Sequence, residues 1–279
     1  MPTMETLTDL FVDVLPMLVA LLAAGTVIGF LAGLFGIGGG AISVPVFYQA
    51  FGVIGLSDEV RMPLAVGTSL AVIIPTSFLS ARAHLRRGTV DTALLRVWIV
   101  PVILGVVLGA LIARIADPWV FKVVFVGVAG VNAAKLLLGG EGWRVRDSLP
   151  GKWALRAYGA ITGVLSALMG IGGGAITNLI LTLHGVPIHR AVSTGAGAGV
   201  LIAFPATLGY VYAGWGKPGL PLDATGYVSW LTFLATVPTT LVTTRLGVAL
   251  AHRLSRRQLE TAFGLFLLFV SARFLWDLL

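Results

Sequence analysis

The feature that most restricts the fold of this chain is a series of ten apolar segments separated by short polar stretches. A helix needs about 20 mostly apolar residues to cross the hydrocarbon core of a bilayer. Two of the segments, Ala41–Ile54 and Ala175–His184, are too short to span comfortably. The other segments are Leu10–Phe35, Pro63–Leu85, Ala93–Ala116, Trp119–Leu138, Ala157–Met169, Ala191–Ala213, Ala224–Leu250 and Leu259–Leu278.

The balance of residue types agrees with a membrane environment. Apolar residues make up 57% of the 279 residues, charged residues only 11%, and the mean hydropathy is +0.96. A soluble domain carries about 25% charged residues, so this chain lacks the residues for a polar surface. We therefore predict an all-α, polytopic integral membrane protein of about 8–10 helices, surrounded by the lipid bilayer.

The charged residues and the missing cysteines exclude several classes of function. The chain has no cysteine, which rules out disulfides, thiolate metal sites and cysteine nucleophiles. A net charge of +7 would suggest nucleic acid as a partner of a soluble protein. Most of the basic residues lie in short loops, so the positive-inside rule explains the charge and we expect no nucleic acid. Residues 1–13 contain no Lys or Arg, so no signal peptide is predicted.

An internal repeat divides the chain. The stretch Gly36–Ile42, with the sequence GIGGGAI, returns unchanged at Gly170–Ile176, and Ala65–Ser69 resembles Ala191–Gly195. Seven consecutive identities with related residues downstream indicate a duplication. The predicted divisions are a first transmembrane repeat at 1–138, a cytoplasmic linker at 139–156 and a second transmembrane repeat at 157–279.

The basic loops predict that the second repeat is inverted. Each repeat contains an odd number of segments, so the second one enters the membrane from the opposite side. The loop at 82–87 carries three arginines, whereas its counterpart Gly214–Gly219 carries one positive charge. The loop at Asp117–Pro118 is poor in positive charge, whereas its counterpart Arg253–Arg257 is strongly basic. This exchange of charge bias predicts inverted-topology repeats with both termini in the periplasm.

The two GIGGG runs are the first candidates for a binding site. Each glycine disfavours a continuous helix by about 1 kcal/mol relative to alanine. Broken backbone is tolerated at membrane depth only where it is buried in protein or lines a watery cavity. A short helix that starts after the glycines directs its N-terminal amides at such a cavity and binds an anion there. We therefore predict broken or re-entrant helices at both motifs, with two helix N-termini opposed near the midplane.

Glycines in such a pattern also serve two roles other than an anion site. Small residues also allow tight helix packing, which is the role expected for Gly25, Gly29, Gly159 and Gly163. The stretch Gly36–Ala41 formally fits a dinucleotide-binding fingerprint as well. Asp58 and Glu59 stand about as far downstream as the acidic residue of that fingerprint. The match is weak, because it lies in an apolar run rather than in a βαβ unit and the second copy lacks such an acidic residue.

Hydroxyl and amide side chains recur near the glycines at duplicated positions. Ser43 corresponds to Thr177, which Asn178 follows, and Thr68 corresponds to Thr194. Such donors replace part of the hydration shell of an oxyanion, although Ser and Thr also commonly bond to carbonyls of their own helix. The predicted substrate-binding residues are Gly38, Gly39, Gly40, Ser43, Thr68, Ser69, Gly172, Gly173, Gly174, Thr177, Asn178, Ser193 and Thr194.

The positions of the acidic residues also restrict the possible functions. No Asp or Glu lies in the middle of an apolar segment. A buried carboxylate is the usual mark of a proton relay or a cation site, so the pattern argues against a cation pump and against carboxylate-based catalysis. We predict no catalytic residue, no metal site and no cofactor. Arg245 is the deepest basic residue and the alternative centre for an anion site, although such arginines are more often snorkelling anchors.

As a set, these motifs resemble the TauE/SafE family of sulfite and organosulfonate transporters. The resemblance runs from about Gly25 to the C-terminus and rests on the two GIGGG runs, Ala65–Ser69, Arg87–Asp91, Ala191–Thr194, Gly209, Tyr210 and Gly214. It implies a carrier in a bacterial inner membrane, without a cofactor, for a small sulfur-containing anion such as sulfite, thiosulfate or an organosulfonate. Gly195 stands where the first half has Ser69, so the two half-sites are not chemically equivalent.

Electrostatics favours export as the direction of transport. An anion that leaves a cell with a negative interior gains about 2.3 kcal/mol per charge per 100 mV, so an exporter needs no coupling ion. This agrees with the missing carboxylates and with alternating access between the two repeats. The alternatives are a carrier or channel for a different small anion, a membrane scaffold, and an intramembrane enzyme. An enzyme should show paired acids or a buried nucleophile, and a scaffold has no need of duplicated broken helices.

Overall fold

The computed structural model of the protein describes residues 4–35, 39–138, 143–251 and 253–278. Within these ranges it describes all side chains except those of residues 4–17 and 256. These ranges contain ten α-helices and one two-stranded antiparallel hairpin, which confirms the predicted all-α class. The helices are α1 (Met4–Phe35), α2 (Gly40–Val53), α3 (Asp58–Arg86), α4 (Thr92–Ile115), α5 (Pro118–Leu138), α6 (Lys152–Met169), α7 (Gly174–Leu183), α8 (Ile188–Ala213), α9 (Trp230–Ala251) and α10 (Arg256–Trp276). The strands are β1 (Ala224–Thr225) and β2 (Val228–Ser229).

Helix length and hydropathy make the described structure that of a multi-pass membrane protein. Seven of the described helices are long and apolar enough to cross a bilayer, namely α1, α3, α4, α5, α8, α9 and α10. The two segments that are too short to span form α2, with 14 residues, and α7, with 10 residues. Both short helices follow the glycine motifs, as predicted. The helix α6 begins at Lys152, inside the stretch 139–156 that the sequence marks as a linker.

The apolar segment predicted at Ala224–Leu250 is not helical throughout. Its first residues form the β1–β2 hairpin, and α9 begins only at Trp230. Gly226 has a φ of +56° and lies against the backbone of α8, so the chain turns there instead of continuing as a helix. Asp223 then caps α9, because its Oδ2 accepts the N–H of Leu231 at 3.0 Å. Turn geometry and capping therefore override the hydrophobic pattern at this point.

The helices of the two halves interleave. The helix α1 packs against α9, α6 against α4, α3 against α8, and α5 against α10. Exchanging the two halves converts the α1–α9 pair into the α6–α4 pair and leaves the other two pairs unchanged. This arrangement is what a duplicated chain would produce, and the inverted relation of the two repeats stays a prediction.

Glycines allow close backbone contacts between the halves. A Cβ at Gly29 on α1 would lie 2.5 Å from the carbonyl oxygen of Thr240 on α9. A Cβ at Gly163 on α6 would lie 2.3 Å from the carbonyl oxygen of Val102 on α4. The backbones of these helix pairs therefore touch, as small residues allow in membrane proteins. The packing role predicted for Gly29 and Gly163 is confirmed.

The positive-inside rule predicts that three loops, 82–89, 139–155 and 253–257, are cytoplasmic, and the described parts of these loops lie at one end of the helix bundle. Arg190 at the start of α8 pairs with Asp91 after α3, at 3.1 Å. Arg257 at the start of α10 donates to the carbonyl oxygen of Leu137 at the end of α5, at 3.0 Å. The N–H of Val145 in the linker bonds to the end of α7 at 2.8 Å, and α7 leads into α8 within a few residues. These contacts join the loops into one basic surface.

Candidate functional site

Both short helices begin at a glycine with a left-handed backbone. Gly39, the N-cap of α2, has a φ of +78°, and Gly173, the N-cap of α7, has a φ of +73°. A residue with a Cβ is disfavoured in this conformation by about 1–2 kcal/mol. The first-turn amides of each helix have no acceptor within the helix. They lie in the protein interior, because Gly40 and Ala175 are buried.

The two glycine motifs contact each other in the protein interior. A Cβ at Gly40 would lie 2.8 Å from the Cα of Ile171 and 3.1 Å from the carbonyl oxygen of Gly170. Ser69 donates a hydrogen bond of 2.8 Å to the same carbonyl oxygen of Gly170. The chain is therefore broken at the described part of both motifs, and the breaks lie side by side. Of the predicted site residues, Gly38 lies outside the described residues.

A cavity of about 60 Å³ lies beside the second motif. A water molecule needs about 10–15 Å³ of such free space, so the cavity is large enough for a few waters or one small ion. Its walls come from the second half of α3, the second motif with α7, and the first half of α8. The lining residues are Ile73, Thr76, Ser77, Ser80, His84, Gly172, Gly174, Asn178, Val192, Gly195, Ala196 and Gly199.

Among the described residues, the lining combines hydrogen-bond donors with no carboxylate. Thr76 and Ser77 bond to carbonyls of their own helix. The hydroxyl of Ser80 and the amide of Asn178 make no hydrogen bond to any described residue, and the Oδ1 of Asn178 is buried without a partner. An unpaired buried polar atom costs about 1–3 kcal/mol. Oδ1 is an acceptor, so the group of Asn178 that can donate to an anion is Nδ2.

Gly195 provides the space that Asn178 occupies. A Cβ at Gly195 would lie 2.8 Å from Oδ1 of Asn178 and 3.2 Å from the carbonyl oxygen of Gly174. The corresponding residue of the first half, Ser69, instead directs its hydroxyl at the second motif. Gly195 therefore leaves room for the polar side chain of Asn178 at the cavity, whereas Ser69, at the corresponding position, makes a packed contact with the second motif.

The surroundings of the first motif are apolar where those of the second motif are polar. In the repeat register, Val44 stands in the place of Asn178, and Tyr210 stands in the place of His84. Both Val44 and Tyr210 are completely buried, and the Tyr210 hydroxyl donates to the carbonyl oxygen of Ala167 at 2.9 Å. In the described part of the chain, side chains thus fill the space at the first motif and leave it open at the second.

Three of the predicted binding residues, Gly172, Gly174 and Asn178, line the cavity. Gly173 is the left-handed cap beside it, and the buried hydroxyl of Thr177 has no partner in the described structure. The first-motif residues lie elsewhere. Gly40 and Ser69 belong to the contact between the motifs, Gly39 lies beside Ala32 of α1, and Ser43 bonds back to the carbonyl oxygen of Gly39 at 2.8 Å.

The two predicted threonines hold the starts of helices instead of lining the cavity. Thr194 Oγ1 accepts the N–H of Asp91, the N-cap of α4, at 3.0 Å. Thr68 Oγ1 accepts the N–H of Ser229, directly before α9, also at 3.0 Å. The two bonds correspond to each other when the halves are exchanged. Arg245, the alternative centre for the site, is exposed on α9 and does not line the cavity.

Sequence reasoning missed the polar face of α3 that forms one wall of the cavity. Ser77, Ser80 and His84 follow one another at spacings of three and four, which places them on one side of a helix. Their counterparts in α8 are Ala203, Ala206 and Tyr210. A comparison of the two repeats for positions that are polar in one half and apolar in the other would have found them.

The end of the cavity at His84 lies among exposed cations. Ser193, the last of the predicted residues, is here, with its Oγ 3.0 Å from Nδ1 of His84. Arg86 and Arg87 follow His84 directly and are exposed, as is Arg190 at the start of α8. Clustered charge of one sign raises the local concentration of an oppositely charged solute. The electrostatics of this end of the cavity therefore favours an anion.

Comparison with known proteins assigns the chain to one family. The family model for the sulfite exporter TauE/SafE matches residues 21–274. A Haemophilus influenzae protein named "Probable membrane transporter protein" is 29% identical over 250 residues, which are 90% of this chain and 95% of that protein. A similarly named protein of Methanocaldococcus jannaschii is 28% identical over 251 residues, 90% of this chain and 91% of its own. A third relative, the Bacillus subtilis "Probable membrane transporter protein YunE", is 23% identical over 280 residues, 93% of this chain and 97% of its own. No solved structure matches. The chain is therefore a membrane transporter and belongs to the sulfite exporter TauE/SafE family.

Proposed function

We propose that the protein exports a small sulfur-containing anion, such as sulfite or an organosulfonate, across a bacterial inner membrane, and that the cavity at the second glycine motif binds this anion. The observation that carries the proposal is the composition of the cavity wall. The start of α7 meets the unpaired side chains of Asn178 and Ser80 there, and none of the described residues that form the wall carries a carboxylate.

The first turn of α7 supplies the main attraction for an anion. Gly172 and Gly174 line the cavity, and the first intrahelical bond of α7 is made by the N–H of Thr177, which donates to Gly173 at 2.8 Å. The amides before Thr177 have no intrahelical acceptor, and the positive end of the helix dipole lies beside them. A sulfur oxyanion presents several acceptor oxygens to these donors, and each hydrogen bond to a charged group contributes about 1.5–3 kcal/mol.

The position of the cavity supports loading from the cytoplasm. It extends to His84, at the end of the bundle that carries the basic loops, and the positive-inside rule assigns that end to the cytoplasm. The opposite path, past the first motif, is closed by buried side chains such as Val44 and Tyr210. In an alternating-access cycle this apolar closure opens and releases the anion to the periplasm. The membrane potential drives that step with about 2.3 kcal/mol per charge per 100 mV.

Proteoliposomes that contain the purified protein test the proposal. Sulfite, thiosulfate and methanesulfonate are each loaded inside, and efflux is measured with and without an inside-negative potential. We expect efflux of at least one of these anions, faster with the potential, and no such efflux from protein-free liposomes.

The Arg245→Gln variant separates the two candidate sites. It should transport normally, because Arg245 lies outside the cavity. Loss of transport in this variant with normal transport by Asn178→Leu would place the anion elsewhere. Absence of efflux of all three anions from liposomes with folded protein would reject the substrate class.

A further inference from the structure

We infer that the cavity binds its anion together with one proton, which is held on His84. The inference rests on the proposed function, because it concerns the same cavity. His84 lies in the last turn of α3, and of the described residues that line the cavity it is the one whose side chain titrates near neutral pH.

The hydrogen bonds of Ser193 determine which ring nitrogen of His84 carries a hydrogen. Ser193 Oγ lies 2.7 Å from the carbonyl oxygen of His189 and 3.0 Å from Nδ1 of His84. A carbonyl oxygen cannot donate, and a serine in a helix commonly donates to the carbonyl four residues before it, so we assign the single hydroxyl hydrogen of Ser193 to its bond with His189. Nδ1 of His84 therefore donates to Ser193 Oγ, and it carries a hydrogen whether the ring is neutral or charged.

The other ring nitrogen, Nε2, then decides how His84 acts on an anion. In the neutral ring Nε2 is a bare acceptor, and its lone pair repels an anion. In the charged ring Nε2 carries a hydrogen and makes a charge-assisted hydrogen bond. Nε2 has no hydrogen-bond partner among the described residues, and the ring lines the cavity. Anion binding and protonation of His84 therefore favour each other by the same factor.

The charged groups around the His84 ring provide no unpaired carboxylate among the described residues, so the bound anion is the counter-ion of the protonated ring. The charged and titratable groups near it are Arg82, Arg86 and Arg87 from α3 and the following residue, His189 and Arg190 from the start of α8, and Asp91 from the start of α4. The carboxylate of Asp91 is paired with Arg190 at 3.1 Å. The arginines disfavour a second positive charge beside them while the cavity holds no anion. The proton is thus taken up with the anion.

The linkage predicts the sign and the size of a pH effect. Over the pH range in which the ring is neutral in the free protein and charged in the complex, one proton is bound with each anion. The affinity for the anion then falls about tenfold for each unit by which the pH rises. Below that range both states are protonated, and above it both are neutral, so the affinity levels off at each end.

Thiosulfate is the probe for the test, because its own charge does not change between about pH 5.5 and 8.5, where histidine titrates. Its affinity for the full-length protein in detergent is measured across this range by calorimetry. We expect wild type to lose at least about tenfold in affinity as the pH rises, in keeping with uptake of one proton. His84→Gln should bind with an affinity that does not change with pH. The matched control is His189→Gln, which removes an exposed histidine but keeps the carbonyl that Ser193 uses, and it should behave as wild type.

Ser193→Ala distinguishes a proton site from a merely structural role of His84. Without the Ser193 acceptor, the neutral ring of His84 is free to carry its hydrogen on Nε2 and to donate to the anion without being charged. This variant should therefore keep more of its affinity at high pH than wild type does. A variant that only loosened the packing would lose affinity at every pH.

Three results decide the question. A pH-independent affinity of the wild type overturns the inference and leaves the proposed function standing, and so does a pH dependence that persists in His84→Gln. If thiosulfate binds at no pH and liposomes show no efflux of sulfite or methanesulfonate, the proposed function fails and the inference fails with it.

Discussion

Replacing Asn178 by leucine should stabilise the fold and weaken anion binding at the same time. Leucine has the same number of side-chain heavy atoms as asparagine and the same branch point at Cγ, so the substitution keeps the shape of the side chain beside Gly195 and changes mainly its polarity, although the methyl groups are larger than the amide. Two opposite effects follow from one substitution, because Asn178 is polar at a place where the described protein offers no hydrogen-bond partner for its Oδ1.

The stability effect follows from the unpaired Oδ1. Leaving a buried polar atom without a partner costs about 1–3 kcal/mol, and leucine removes that cost. Leucine also has a better helix propensity than asparagine by a few tenths of a kcal/mol in the interior of a helix such as α7. We therefore expect the free energy of unfolding of Asn178→Leu to equal or exceed that of wild type.

The binding effect follows from the lost hydrogen bond to the anion. A bond to a charged group contributes about 1.5–3 kcal/mol, which corresponds to a loss of about 10- to 150-fold in affinity. Thermal unfolding in detergent, followed by tryptophan fluorescence, measures the first effect, and calorimetric titration with sulfite measures the second. An increase in stability with a loss of binding is the signature of a residue kept for function.

The other asparagine of the chain, Asn132, provides the matched control. Its Nδ2 donates to the carbonyl oxygen of Val128 at 2.9 Å on α5, and it does not line the cavity. Asn132→Leu should lose about 0.5–1.5 kcal/mol of stability, the net value of one hydrogen bond, and bind sulfite as wild type does. If Asn178→Leu is the less stable variant and binds sulfite normally, Asn178 is a packing residue and the candidate site is wrong.

Two further predictions concern the repeats and the topology. Thr194→Val and Thr68→Val should each lower the free energy of unfolding by about 1–3 kcal/mol, because each leaves a backbone N–H without its acceptor. The affinity for sulfite should change little. Unchanged melting temperatures together with weakened sulfite binding would show that the threonines bind the anion. Single cysteines introduced at Arg87 and Arg257 should react with an impermeant thiol reagent only from the cytoplasmic side, and one introduced at Lys217 only from the periplasmic side. The native chain has no cysteine, so each label reports a single position. Periplasmic labelling at Arg87 would reject the topology.

The sequence determined the class of fold and the places where helices break. Hydrophobic length is a local property that lipid imposes on each segment, so the long helices and the short helices α2 and α7 were predictable segment by segment. The left-handed caps Gly39 and Gly173 are local as well, because a positive φ favours glycine regardless of tertiary contacts. The close packing of Gly29 and Gly163 followed from small residues in apolar helices. The hairpin before α9 was not predicted, because its turn and cap outweigh its hydrophobicity, and α6 begins earlier than the linker boundary predicts.

The tertiary structure alone decided which polar groups meet. Thr194 bonds to an amide 103 residues away and Thr68 to one 161 residues away, and no local pattern predicts such partners. The same holds for the cavity, where His84 and Ser80 from the first half face Asn178 from the second. A duplicated sequence suggests two equal half-sites. Which of them stays open depends on whether neighbouring helices fill it, and side-chain packing between distant segments settles that only in the folded protein.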